Sequence, residues 1–252
     1  MKRYIDLNAD LGEDETPEGI ARDLAMMDII SSCNIACGGH AGSPENMRLI
    51  LKAAKASGVS AGAHPSYPDR KNFGRVSINI APDDLEKSLR QQLDIITAAA
   101  RALGSALTHL KPHGALYNDA QDDEELSGLL INLAAKYRLK LVGMDHSTLQ
   151  KMTDTRGVEF ISEAFIDRRY LSNGRLTPRS FNGAVIASEK DRLEQGVSLA
   201  QGKEILDNSG TGIFISAQTL CLHSDSEGAL ETAAAMKAAL KNCGYEIKAP
   251  TT

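Results

Sequence analysis

The sequence predicts a single α/β barrel, on three observations. Short β-rich runs alternate with amphipathic helical runs from one end to the other, no linker, repeat or low-complexity stretch divides the 252 residues, and polar side chains follow every strand candidate. Alternation alone fits an open, doubly wound sheet equally well, but such a sheet collects its chemistry after two or three strands at one switch point. A closed barrel brings all its strand ends to one mouth, so polar groups after every strand are what it requires. The length suits one barrel domain over residues 1–252.

Seven runs read as strands: residues 3–8, 29–36, 59–64, 107–111, 140–145, 158–165 and 218–223. They are followed or ended by Asp6, Asn8 and Asp10; by Asn34 and His40; by His64; by Lys111 and His113; by Asp145; by Glu163 and Asp167; and by His223 and Asp225. Between them, Pro44–Ser57 reads as a helix with Ser43 as N-cap, Pro44 in its first turn and Gly58 at its exit. Residues 83–103 form a longer one, with Leu85, Leu89, Leu93 and Ile96 on one face and Gly104 at the exit. Residues 122–137, 188–203 and 226–242 complete the helical pattern. The long polar segment 167–184 reads as a lid or a partner surface, and 207–215, with Gly210 and Gly212, as a small hairpin before the last strand.

Composition narrows the function classes. Hydrophobic residues make up 42% of the chain, aromatics 4%, and Trp is absent, so the core is built from Ala, Leu, Ile and Val. A formal charge of −5 gives no electrostatic reason to bind nucleic acid or an anionic membrane. No apolar run reaches membrane-spanning length and the start lacks a signal-peptide core. Four cysteines, with Cys33 and Cys37 in a lone CxxxC, favour a reduced, cytoplasmic protein over a zinc ribbon.

Five stretches carry the chemistry. In residues 5–13, IDLNADLGE, Asp6, Asn8 and Asp10 alternate and therefore point to one side. On an edge strand that side is merely solvated; inside a barrel two carboxylates and an amide need a ligand, a cation or one another. In residues 34–42, NIACGGHAG, Gly38 and Gly39 let backbone amides approach a ligand beside His40, although a Gly-Gly-His turn is more often only a turn. Cys37 beside His40 reads as a small buried thiol rather than a nucleophile. In residues 62–75, GAHPSYPDRKNFGR, His64 is stiffened by Pro65, and Arg70 and Arg75 offer bidentate clamps for a carboxylate or phosphate, or else are surface arginines of a rigid loop. Residues 109–118, HLKPHGALYN, are the most informative: His109, Lys111 and His113 share one strand face, where three such groups lower one another's pKa values and favour a neutral base. Residues 218–225, QTLCLHSD, set His223 and Asp225 at the last strand exit.

Taken together these stretches resemble the LamB/YcsF family. DLNADLGE is similar to its opening motif, and NIACGGHAG, GAHPSYPDR with FGR, and HLKPHGALYN to the next three; EAFIDRRY, NGRLTPR, GAVI and LCLHSD follow in order. The likeness runs from residue 3 to about residue 240. Gly39 stands where Phe is usual in that pattern, Ser66 where Gly is, and Ala9 where Cys is. The resemblance implies a seven-stranded, TIM-like barrel of the glycoside hydrolase/deacetylase kind, and a role as the A component of 5-oxoprolinase. It implies ATP, with Mg²⁺, as co-substrate and two carboxyltransferase-like partner subunits (B and C), opening 5-oxo-L-proline to L-glutamate. On that footing Asp10 or His113 is the base for water, and Lys111 and His64 stabilise negative charge. Arg70 or Arg75 holds the substrate carboxylate, and Asp6, Asn8, Asn34, His40, Asp167 and His223 complete the substrate site. No nucleotide fingerprint is visible in the chain. Asp10, His40, His64 and His113 also suffice for a divalent metal, so a metal-dependent deacetylase-like amidohydrolase is the alternative, and a non-catalytic scaffold subunit the third.

Overall fold

A computed structural model describes residues 2–222 and 228–250, so His223 and Asp225 lie outside the described residues. Among the described residues ten strands and eight helices follow in chain order: β1 (Arg3–Leu11), α1 (Pro17–Met26), β2 (Ser32–Ala36), α2 (Pro44–Ser57), β3 (Ser60–His64), α3 (Pro82–Ala102), β4 (His109–Leu110), α4 (Gly114–Asp119), α5 (Glu124–Tyr137), β5 (Lys140–Met144), α6 (Thr148–Arg156), β6 (Phe160–Phe165), α7 (Glu189–Ala200), β7 (Ile205–Leu206), β8 (Gly212–Ile213), β9 (Thr219–Leu222), α8 (Ala229–Asn242) and β10 (Tyr245–Ile247). Seven of the strands, β1–β2–β3–β4–β5–β6–β9, pair in parallel, and β9 returns to β1, which closes a seven-stranded barrel. The seven strand expectations all fall on these barrel strands.

Boundaries differ from expectation for local reasons. The second strand begins at Ser32 instead of residue 29, because Ile29 and Ile30 still bond back to Met26 at the exit of α1. The fourth is only His109–Leu110, since Pro112 cannot extend the ladder, although Lys111 N still bonds Ala63 O at 2.9 Å. Three short helices, α1, α4 and α6, carry too few turns for a clear periodicity. Two of them are signed at their starts, however: Thr16 Oγ1 accepts from Gly19 N, and Ser147 Oγ from Gln150 N. The β10 strand adds in parallel to the N-terminal end of β1, Arg3 opposite Tyr245. The hairpin is present as β7 and β8, paired antiparallel around the turn at 207–211.

The barrel has its apolar side outside. Leu7, Ala9 and Leu11 on β1, with Ile35, Met26, Ile50 and Leu51, are buried between sheet and helices. The alternate residues of β1 point inward in layers. Asp6 is level with Thr219, Asn8 with Ser32 and Cys221, and Asp10 with Asn34. Gly62 pairs with His109, and a methyl at 62 would overlap the His109 ring, so this position has room for hydrogen alone. Gly39 is bounded in the same way by Ser66 Oγ and Gln92 Oε1; the two departures at 39 and 66 are therefore neighbours in space, the smaller side chain at one leaving room for the larger at the other.

The segment after β6, expected to be a lid or a partner surface, folds back across the barrel mouth. Bridges Arg168–Val185 and Tyr170–Leu176 give it an antiparallel frame. Arg175 latches it down: its guanidinium donates to both Asp122 carboxylate oxygens at 2.7 and 2.8 Å, and to the carbonyls of Asp145 and His146. Among the described residues no helix is long and apolar enough to cross a membrane.

Candidate active site

Strands β1, β2, β4, β6 and β9 deliver polar side chains to the barrel axis, three of them from β1 alone, and a hydrogen-bond chain ties the lower layers together. Asp6 accepts from Ser31 Oγ at 2.5 Å and from Ser32 Oγ and Thr219 Oγ1 at 2.6 Å. Burial pushes its pKa up against these three donors, with the Glu163 carboxylate adding to the rise. Asn8 donates to Glu163 Oε1 and Thr219 Oγ1; Asn34 donates to Asn8 Oδ1 and Asp10 Oδ1; His109 Nε2 donates to Asn34 Oδ1 at 2.8 Å. Asn8 and Asn34 thus satisfy one another, and Asp6 is satisfied by Ser31, Ser32 and Thr219; all three lie below the cavity and do not line it, which corrects their assignment to substrate binding: alternation brings them to the interior, but too deep.

Above this plug a cavity of about 590 Å³ opens, in the usual range for a small-molecule site. Asp10, Glu13, His64, Lys111 and His113 form its floor, with Tyr117, Met144 and Phe165 on the walls. All four residues expected to be catalytic therefore meet. Lys111 Nζ lies 2.9 Å from Asp10 Oδ1 and 2.8 Å from Glu163 Oε1, with Asn8 Oδ1 and Cys221 Sγ at 3.4 Å. Burial alone would lower its pKa; the Asp10 and Glu163 carboxylates and the Cys221 sulfur outweigh that and raise it well above the ordinary lysine value. The expectation of mutual lowering fails at Lys111 for this reason; the two histidines are lowered, but chiefly by burial, and only His109 by Lys111. Burial, with the Lys111 cation, drops His109 to about 3, and burial and the neighbouring His64 draw His113 down.

The ring nitrogens can be assigned from their carbonyl partners. His64 Nδ1 lies 2.8 Å from Lys111 O, and His113 Nε2 lies 2.9 Å from Phe73 O. A carbonyl accepts only, so both of these nitrogens carry hydrogen, and the neutral His113 ring leaves its Nδ1 bare. His64 Nε2 and that bare His113 Nδ1 face each other at 3.0 Å. Glu13 Oε1 stands 3.2 Å from His113 Nδ1, and Asp10 Oδ2 3.4 Å from His64 Nε2. Four lone-pair donors converging in this way call for a shared proton or a cation between them. Glu13, His40, His64 and His113 offer ligand atoms all within 4.8 Å of one another, and each histidine that lines the cavity has its other nitrogen fixed by a backbone carbonyl, as metal-ligating histidines have.

His40 stands behind this group. Its ring stacks on His113 at 3.6 Å, and its Nε2 bonds Glu13 Oε1 at 2.9 Å. Burial lowers it to about 4, against the pull of Glu13. Glu13 itself resists its own burial: the His113 and His40 rings beside it hold its carboxyl well below the usual range. Sequence reasoning misses it as a site residue because it follows a turn, not a strand. That turn is Gly12, with φ +78°, whose N–H bonds buried Asp23 at 2.7 Å and whose carbonyl accepts from Asn46 at 3.1 Å. Glu163 is legible only as a strand-end carboxylate.

The other expected positions divide. Arg75 lines the cavity, and its guanidinium carbon lies 4.9 Å from the Phe73 ring centroid. Arg70 instead donates to the carbonyls of Gly38 and Gly42 at 3.1 and 3.0 Å and holds the glycine turn, so it is a structural brace. Asp167 sits at the lid's base with its carbonyl bonded to Ile186 N, off the cavity lining. His223 lies outside the described residues. Cys37 is buried and its thiol is pushed up to about 12 by burial, so it is no nucleophile. The roof, which sequence reading leaves undivided as a lid, contributes Arg168, Arg175, Leu176, Thr177, Pro178, Arg179 and Ser180.

One stability consequence follows from the neutral histidines. The unfolded chain takes up a proton on His109 and His40 below about pH 6.5, whereas the folded chain refuses it until about 3 and about 4. Their contribution is therefore complete above pH 6.5 and is lost as pH falls, at roughly 1.4 kcal/mol per unit and group. Urea unfolding between pH 7 and 4.5 should show this slope, and His109→Gln, which keeps a donor for Asn34, should flatten it; a pH-independent midpoint would contradict the assignment.

Comparison with known proteins agrees with this fold. The crystal structure of the lactam utilization protein from Thermus thermophilus matches with a TM-score of 0.88 and 34% identity, covering 98% of this chain and 100% of that one. At the level of fold alone, a putative cellobiose-phosphate cleavage protein from Enterococcus faecalis matches with a TM-score of 0.60 at 13% identity, covering 99% and 97%. A family 4 carbohydrate esterase from Streptomyces lividans matches at 0.51 and 12%, covering 99% and 93%. The profile of the LamB/YcsF family matches residues 5–252, nearly the whole chain, and the chain belongs to that family.

Proposed function

We propose that this chain is the lactam-opening A component of an ATP-dependent 5-oxoprolinase, acting with two carboxyltransferase-like subunits on 5-oxo-L-proline. The observation that carries the reading is the meeting of the His64 and His113 ring nitrogens with Arg75 around one small cavity. The family and the lactam utilization protein it resembles point to the same substrate class. An unstrained lactam resists water. Phosphorylation of its carbonyl oxygen by ATP, with Mg²⁺, makes the ring carbon electrophilic. Water then loses a proton to His113 Nδ1 and adds to that carbon, the ring C–N bond breaks as nitrogen takes a proton, and hydrolysis of the acyl phosphate releases glutamate and phosphate. Asp10 is held by Lys111 and Asn34, so His113 is the better base of the two. Lys111 acts through the field of its charge, because its protons are already directed at Asp10 and Glu163. Arg75 faces the substrate carboxylate. Coexpression with the neighbouring carboxyltransferase-like subunits, followed by an assay of glutamate release from 5-oxoproline, tests this: ATP-dependent release is expected, and its absence from a fully assembled complex refutes it.

The converging lone pairs favour a second reading, a metal-dependent amidohydrolase. Glu13, His64 and His113, with Asp10 beside them, fit a divalent cation, which would supply Lewis-acid polarisation of an amide carbonyl. Equilibrium dialysis against zinc decides it: one tightly held ion per chain, lost in His64→Asn, supports this reading, and none removes it.

A further inference from the structure

The cavity roof carries charge that the lactam-opening reading leaves unassigned. Arg168 is only 6% exposed, and the bonds of its guanidinium go to two backbone carbonyls, Thr177 O at 2.7 Å and Ala184 O at 3.4 Å. Burial, together with the cation of nearby Arg179, pulls its pKa down to about 10. Arg168 is buried, Arg179 is exposed, and the Asp167 carboxylate offsets part of their repulsion; a further anion between the two guanidiniums would relieve the rest. Thr177 supplies an independent observation. It is 1% exposed and lines the same cavity, and its Oγ1 is buried with no hydrogen-bond partner. An unpartnered buried hydroxyl costs stability, so a fold that keeps one beside two arginines has left a donor for a ligand. The floor offers no equivalent, because the Lys111 ammonium is enclosed by Asp10, Glu163, Asn8 and Cys221.

We infer that Arg168, Thr177 and Arg179 form a phosphoryl-binding subsite in the cavity roof, opposite the histidine floor. The Arg179 fork, the N–H groups that Arg168 does not give to Thr177 O and Ala184 O, and a hydroxyl are more donors than a planar carboxylate can accept, and they suit the three oxygens and double charge of a phosphoryl group. The inference deepens the lactam-opening reading and rests on it for the source of the phosphoryl group, either the terminal phosphate of a nucleotide or a phosphorylated small molecule. Both present the same tetrahedral oxyanion.

The test is calorimetric titration of the full chain, without partners or lactam, using inorganic phosphate, then methylphosphonate and ATP as separate arms. Saturable phosphate binding is expected, weakened at least 10-fold in Arg179→Met and several-fold in Thr177→Val. Valine fills the threonine volume and removes a hydroxyl with nothing to bond, so Thr177→Val should keep or raise the melting temperature while it loses affinity. A purely structural threonine would lose stability and leave phosphate binding untouched, which overturns the subsite. Methylphosphonate binding without ATP competition supports a phosphorylated small molecule, and ATP displacing phosphate from the wild-type chain supports a nucleotide. Absence of saturable phosphate binding, or wild-type affinity in both variants, overturns the inference. Glutamate release from the assembled complex with no phosphate site would sink the subsite alone, and a phosphate site without glutamate release would sink the lactam reading alone.

Discussion

Lys111→Met should lower the stability of the chain by about 3–5 kcal/mol, the usual cost of removing one partner from a buried ion pair. Lys111 is 2% exposed and Glu163 1%, so neither can turn to water when its partner is lost. In the variant Asp10 and Glu163 would face each other across the barrel axis with no cation between them. Two facing carboxylates repel only while both are ionised, so by the linkage of proton uptake to folding the variant recovers stability as pH is lowered and loses it as pH is raised. That pH dependence separates charge removal from simple loss of packing. Urea unfolding at pH 5 and pH 8 measures it, and Lys111→Met/Glu163→Gln should recover part of the loss. An unchanged midpoint in the single variant would mean that the ammonium does not hold the barrel interior together. Activity should vanish as well, because Asp10 and the base beside it lose their anchor.

His113→Asn should reduce glutamate release by the reconstituted complex about 10²- to 10⁴-fold, the range that a positioned base contributes. The asparagine retains polarity near Nδ1 but has no basicity there, and it gives up the Nε2–H bond to Phe73 O. The pH profile makes the stronger case. Burial and the neighbouring His64 lower the His113 pKa, so the wild-type base stays neutral, and the rate holds up, below the ordinary histidine range. In the variant the residual rate should no longer show that acidic limb. Wild-type turnover, or an unchanged acidic limb at a reduced rate, would remove His113 from the role of base and leave Asp10 or a bound cation to be tested in its place.

The positions that alternation can read are the ones it reads well. Asp6, Asn8 and Asp10 do share the inner side of β1, and His109, Lys111 and His113 do turn toward the axis in succession, because a strand offers only two sides. Depth along the axis has no such signature. The same pattern that sends Asp10 to the cavity floor sends Asp6 and Asn8 into a polar plug in the layers below it. Glu13 reaches the floor only because a left-handed Gly12, clamped by Asp23 and Asn46 from two different helices, bends the chain inward.

Strand and helix order, closure into a barrel and the identity of the floor residues other than Glu13 were determined by the sequence itself, through period, punctuation and the polar strand ends. Which arginine braces a turn and which faces the cavity was decided only by the tertiary structure: Arg70 found backbone carbonyls within reach, and Arg168, Arg175 and Arg179 were brought over the mouth by a lid fastened to Asp122. The direction of each charge shift was decided there too. A lysine among histidines reads as a group of mutually repelling cations until folding brings Glu163, 52 residues away in sequence, to within 2.8 Å of it.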